Sequence, residues 1–207
     1  KMAKFNLGRL KNIGFQISNS ESEGEENTYY ILSDLDLLPS HDLISDYLKY
    51  PDNPIHLGYL GTRYNMEGKN KTFFGGVIST NEKDFTEANG YPNDFWGWGG
   101  EDEALRDRFK TNKIKIDKPT EPVIDLEDFT DFKEKNIFLK DNKMKDYKKN
   151  EKLLQDNTEW KNNGLNNIDS SYDIVSEKNY SINGIEYDNV GHIIVKLNIT
   201  DMDKIEL

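Results

Sequence analysis

The 207-residue sequence contains no cysteine, which removes disulfides, thiolate metal sites and cysteine nucleophiles from its chemistry and fits a reducing compartment. Basic residues are in deficit: 27 Lys and Arg stand against 38 Asp and Glu, a net charge of -11. Such a balance repels a nucleic-acid backbone or an anionic membrane surface. No apolar run reaches the ~18 residues that make a membrane-span candidate, and no signal-peptide pattern opens the chain, so the expectation is no membrane segment, with a cytoplasmic location favoured. Lys1 ahead of Met2 is not a natural start, which suggests a piece of a longer polypeptide. Histidine is scarce as well, and His41, His56 and His192 have neither metal-site nor triad spacing.

What the chain does have is concentrated between Gly90 and Glu103, where Trp96-Gly97-Trp98-Gly99-Gly100 runs straight into Glu101, Asp102 and Glu103. Glycines let a backbone approach a ligand closely, indole rings offer flat surfaces to a sugar or a base, and the carboxylates put charge at the same place. A structural reading of the same residues is that Trp96 and Trp98 anchor a core while the acids form the favoured first turn of a helix.

Around this loop the pattern is α/β. Residues 5–17 carry apolar side chains at near-helical spacing, and residues 21–27 read as an exposed loop. Residues 29–32 form an aromatic, branched run that predicts a buried strand, ending in Ser33-Asp34-Leu35-Asp36. Residues 41–48 suggest a short helix with Leu43, Ile44, Tyr47 and Leu48 inward, and residues 55–60, 73–79 and 119–126 suggest strands. Helices are expected over 81–88, stopped by Asn89-Gly90, and over 101–109. Residues 127–161 are densely charged, and a mobile loop with some helix is expected there. After residue 172, branched and aromatic runs broken by Asn183-Gly184 and Asp188-Asn189 predict a small β-rich end. One domain over residues 1–207 is the expected organisation.

Asp34-x-Asp36 at a strand end suits a hard divalent cation that grips a diphosphate, although acidic pairs also end strands for purely structural reasons. With Gly75-Gly76 and the Trp/Gly/acid loop downstream, the layout is that of a nucleotide-sugar transferase. The segments Phe5-Asn6-Leu7-Gly8-Arg9-Leu10-Lys11-Asn12-Ile13-Gly14-Phe15, Ser33-Asp34-Leu35-Asp36, Phe74-Gly75-Gly76-Val77 and Gly90 through Glu103 together resemble the β-1,4-galactosyltransferase family. That resemblance implies a GT-A fold, a UDP-sugar donor with UDP-galactose first in line, a saccharide or glycoconjugate acceptor, a manganese or magnesium ion, and inversion at the anomeric carbon.

By the same resemblance, Asp102 is the general base and Glu101 hydrogen-bonds the donor sugar. Asp36 ligates the metal and Asp34 supports the donor site. Phe5 lies on the uridine side, Arg63 near the phosphates, and Trp98 in a loop that closes over the donor. Phe73, Gly100 and Glu103 fall on the sugar and acceptor side, with Phe73 standing where the family's galactose users carry tyrosine. Two departures accompany the likeness. The family's metal histidine has no counterpart, and spacing from Asp102 puts Asp131 there, with Asp128 at a second ligand position; alternatively, Asp125, Glu127, Asp128 and Asp131 form a solvated acidic loop. The family's upstream donor-binding unit is also missing, and Leu7 replaces an arginine. A non-catalytic carbohydrate- or nucleotide-binding module of the same fold is the alternative function.

Overall fold

The computed structural model describes residues 4–22, 25–129, 132–144, 148–168, 172–182 and 185–197. The first helix, α1 (Leu7–Glu21), starts where the Asn6 side chain accepts the Arg9 backbone N–H at 2.9 Å, an N-cap that satisfies one of the orphan donors of the first turn. Strand β1 (Tyr29–Ser33) pairs antiparallel with β3 (Val77–Asn81), Ile31 opposite Ser79. A second ribbon joins β2 (Leu37–Pro39) to β4 (Val123–Asp125).

Two apolar clusters lie on either side of β3. Ile78 faces Phe15, Tyr30, Phe74, Phe85, Leu105 and Phe109, while Val77 faces Leu37, Leu43, Ile55, Leu57 and Val123. Successive strand side chains point to opposite faces, so a strand with a core on each side loses its alternation. All five residues of β3 are accordingly buried, and each fully buried large apolar side chain contributes about 1.5–3 kcal/mol. The first cluster is closed by α3 (Glu82–Glu87), capped by Asn81, and by α4 (Glu101–Thr111). Asn89 and Gly90 stop α3 with φ of 57° and 59°, as the Asn-Gly pair predicts.

Several expectations shift. Strand β1 is only half-buried, Tyr30 being its one buried residue, because no other described strand pairs with its second edge; that edge borders a groove of about 510 Å³ lined by α1 and β1. Residues 55–60 do not make a strand. Ile55 alone bridges to Ser79 and to Asp117, and Leu57–Tyr59 is a 3-10 turn that brings Gly58 so near residues 75–77 that a Cβ would lie 2.8 Å from the Gly75 carbonyl oxygen. The helix expected over 41–48 shrinks to α2 (Ile44–Tyr47): Leu43 is buried and Tyr47 partly so, whereas Ile44 and Leu48 face solvent. Strand 73–79 begins only at Val77, and in β4 Ile124 is exposed.

The charged stretch folds into α5 (Phe132–Asp141) and α6 (Lys149–Glu159). At the end of the chain β5 (Tyr172–Ile182) and β6 (Ile185–Leu197) form a long antiparallel hairpin, and Tyr172 packs on the Ile13, Ile17 and Ile168 cluster. The Asn183-Gly184 turn signal lies outside the described residues. Asp188-Asn189 makes a bulge inside β6, between the pairs Asn179–Gly191 and Tyr180–Tyr187, rather than a turn.

Candidate active site

The acidic helix start is delivered by a loop that depends on glycine at its last position. Gly100, the N-cap of α4, has φ of 104°, and a Cβ there would lie 2.6 Å from Phe95, a conformation and a closeness that other residues do not tolerate. Trp96 is buried, whereas Trp98 is half-exposed, 6.1 Å from the Phe132 ring and with the Lys135 ammonium 5.6 Å from its centre. The two readings of the tryptophans therefore divide between them: Trp96 anchors the core and Trp98 lies at the rim. The Trp98 backbone N–H donates to the Met144 carbonyl and the Gly97 N–H to the Phe5 carbonyl, which puts the Phe5 backbone beside the same loop while its side chain is exposed.

Glu101 is buried, while Asp102 keeps part of its surface open with its Oδ1 buried. Among the described residues Asp102 Oδ1 and Glu101 Oε2 have no hydrogen-bond partner, an arrangement that native structures rarely leave unused. Asp102 Oδ2 lies 2.9 Å from where a Cβ of Gly75 would be, so a larger residue there would push the carboxylate aside. The Phe73 ring edge is 3.1 Å from the same point, bringing the sugar-side candidate next to the base candidate. Gly75 is fixed from behind by the buried His56, whose Nε2–H donates to the Gly75 carbonyl at 2.9 Å.

On the far side of Gly76 stands Asp34, whose backbone N–H donates to the Gly76 carbonyl at 2.9 Å and whose carboxylate meets the Lys11 ammonium at 2.9 Å. Burial pushes the Asp102 carboxyl well above the usual carboxylate range; Glu101, Asp34 and Glu103 push it further, against the pull of Lys11. Glu101 is raised too, by burial foremost. Like charges packed together in a poorly solvated place disfavour ionisation. Lys149, at the start of α6, pairs with Glu103 at 2.6 Å and lies over Gly99 and Gly100.

Asp36 follows two residues after Asp34 and is half-buried. Burial raises its pKa, and repulsion from Asp34 and Glu127 adds to the rise while Lys135 opposes it. A cluster of carboxylate oxygens around Asp36 fits a hard divalent cation, of the kind held by one or two carboxylates together with substrate phosphates. Among the described residues no three of His, Asp or Glu converge on one point. Asp128 is exposed, and Asp131 lies outside the described residues. Arg63 is placed against β4: its guanidinium makes two 3.1 Å bonds to Asp125, reaches Glu127 at 3.2 Å and donates to the Glu127 and Phe129 carbonyls.

Sequence reasoning gave no role to Lys11, Tyr91, Lys135 and Lys149, and named Glu127 only as part of a solvated acidic loop. A signal existed for the first. Gly8, Lys11, Asn12 and Phe15 are spaced as one helix face and all are buried, but a search for apolar residues alone follows Phe5, Leu10, Ile13 and Ile17 instead.

Strand-end acids, a glycine spacer and a helix-start carboxylate come together on an α/β frame, and the solved structures identify that frame. The catalytic domain of Drosophila β-1,4-galactosyltransferase 7, in complex with xylobiose, superposes with a TM-score of 0.69 at 21% identity over 99% of this chain and 79% of that one. A mutant of it, in complex with manganese, UDP-Gal and xylobiose, gives 0.70 with the same identity and coverage. The fold is GT-A. The family described as the N-terminal domain of galactosyltransferase matches residues 56–135. β-1,4-Galactosyltransferase 4 of Rattus norvegicus is 33% identical over 177 residues, 84% of this chain and 46% of that protein. Its Homo sapiens counterpart is 37% identical over 119 residues, 56% and 32% respectively. The chain is similar to members of the β-1,4-galactosyltransferase family. It spans less than half the length of these two relatives.

Proposed function

We propose that this chain is an inverting, metal-dependent glycosyltransferase that moves galactose or a related hexose from a UDP-sugar to a saccharide acceptor. The observation that carries the reading is the Asp102 carboxylate: part-exposed, with an unpartnered buried oxygen, pressed against Gly75 and next to the Phe73 ring. In the proposed reaction Asp102 takes the proton of the acceptor hydroxyl as that oxygen bonds to the anomeric carbon. The bond from that carbon to the diphosphate breaks on the opposite face, and its electron pair leaves with UDP. A single displacement of this kind needs a positioned base and no covalent enzyme intermediate.

Glu101 holds the donor sugar, Glu103 and Gly100 orient the acceptor side, and Phe73 borders the sugar pocket. Trp98 covers the donor, with Phe5 and Asp34 on the nucleotide side. Arg63 acts near the phosphates through the Asp125–Glu127 turn that it braces. Asp36, with Asp128 and Asp131, would hold manganese or magnesium, and Glu127 is the neighbouring acid. When bound, the ion supplies positive charge for the departing diphosphate.

The test is UDP release from UDP-galactose with N-acetylglucosamine, with and without manganese. Asp102→Asn should lower kcat by about 10²–10⁴-fold, the usual contribution of a general base; a variant that turns over as fast as the parent would refute the assignment. A second reading, a binding module without catalysis, is favoured by the Lys135 ammonium that already pairs with Glu127. Calorimetric titration separates the two, because a module binds glycan with no manganese-dependent affinity for UDP.

A further inference from the structure

Lys11 has no part in the roles above, yet α1 carries it into the middle of the acids. It stands one turn after Gly8, where the helix comes so close to α4 that a Cβ on Gly8 would meet the Glu101 Cβ at 3.4 Å. Its side chain is 8% exposed, with the ammonium 2.9 Å from Asp34 Oδ1 and 5.6 Å from the centre of the buried Tyr91 ring. A charge held this deep costs several kcal/mol unless it is compensated. Compensation comes from Asp34, after β1 and tied to Gly76, which pairs with the ammonium directly, and from the charge of Asp102, on α4 against Gly75.

Burial on its own would lower the lysine pKa; Tyr91, Asp102 and Asp34 reverse this, so the ammonium stays charged throughout the physiological range. The groups acting on Asp102 are Glu101 and Glu103 from its own helix, Asp34 from the β1 end and Lys11 from α1, with Lys149 of α6 paired to Glu103. Of these, Lys11 alone favours the ionised carboxylate directly.

We propose that Lys11 is a positioning residue: a fixed internal cation that anchors Asp34 on one side of the Gly75–Gly76 spacer and keeps the Asp102 carboxylate ionised on the other. What the ionised Asp102 accomplishes rests on the transferase reading; the electrostatic arrangement does not.

The test compares the parent with Lys11→Met and Lys11→Arg by two readouts. In carbon-13 NMR of aspartate-labelled protein, with Asp102→Asn assigning the signal, the Asp102 titration midpoint should rise by about one unit or more in Lys11→Met, a tenfold change in its proton affinity. It should return toward the parent value in Lys11→Arg. The kcat/KM of Lys11→Met should fall at least about tenfold further at pH 6 than at pH 9, again with rescue by arginine. An unchanged Asp102 midpoint, or a loss equal at every pH and not rescued by arginine, overturns the proposal. Should Lys11→Met not fold, nitrogen-15 spectra of the lysine ammonium groups decide. Asp102→Asn must move the Lys11 signal, and an unmoved signal overturns the proposal. If the parent protein transfers no sugar, the transferase reading fails while both NMR measurements still judge Lys11.

Discussion

The carboxylate of Asp102 begins a helix, where the dipole favours negative charge, but sits among three other acids in a place that water reaches on one side only. Its folded-state pKa lies above its unfolded value, so between the two the folded protein binds the extra proton. Stability therefore falls as pH rises through that window, and an ionisable acid at this position is a net burden above it. Asn in its place removes the burden together with the proposed base. Asp102→Asn is expected to unfold at a higher temperature than the parent at pH 7.5, with a shift of about 2–4 °C for each kcal/mol relieved in a chain of this size. Differential scanning calorimetry measures the gap, which should close below pH 4, and a lower unfolding temperature at pH 7.5 would contradict the argument. The acid itself was legible from the Trp-Gly-Trp-Gly-Gly-Glu-Asp string. Its unpartnered oxygen was not, because a missing hydrogen bond is a property of surroundings drawn from four separate parts of the chain.

Helix α6 shows why the charged region resisted sequence reading. Its inward residues are Lys152 and Asp156, so a search for apolar periodicity finds nothing. Asp156 receives the buried Arg108 of α4 through two bonds of 3.0 and 2.5 Å, while the same guanidinium donates to the Gly90 and Asn163 carbonyls. Lys152 reaches the Asp94 carbonyl at 2.6 Å. This polar seam holds Lys149 over the Gly99–Gly100 turn and against Glu103. Breaking a buried pair by removing one partner strands the other charge and costs about 3–5 kcal/mol. Asp156→Ala should therefore lose about that much in a urea titration, whereas Arg108→Met with Asp156→Leu should lose markedly less; equal losses would show that the pair itself, rather than the stranded charge, sets the cost. By contrast α4, with acids in its first turn and Arg108 and Lys110 in its last, was readable almost to the residue, since its end signals are local.

For the whole molecule, His56 sets a limit on acid stability. Burial lowers its pKa from 6.5 to about 4, against the opposing bond to the Gly75 carbonyl. Unfolding frees it to take a proton, so its contribution is fully present above pH 6.5 and is lost as pH falls toward 4. At 1.36 kcal/mol per unit the loss is at most about 3 kcal/mol. Urea titrations at pH 7 and pH 4.5 should show a smaller difference for His56→Gln than for the parent, and the same difference in both would remove His56 as the cause. A single histidine in an apolar stretch looks structural in sequence, and structurally that is its place. Its position behind Gly75 couples overall stability to the same glycine spacer that separates Asp34 from Asp102.

The sequence by itself determined the local devices: the Asn6 and Asn81 caps, the Asn89-Gly90 stop, the acids at the end of β1, and the glycine-rich run into α4. Each depends on neighbours within a few residues, and their joint order was enough to mark the family resemblance. Only the tertiary structure decided that residues 55–60 bend instead of extending, that Trp96 is core while Trp98 is rim, and that Lys11 meets Asp34 across 23 positions of chain. Those outcomes come from close approach and shared burial between distant segments, and neither propensity nor periodicity encodes which charges end up facing each other in a place short of water.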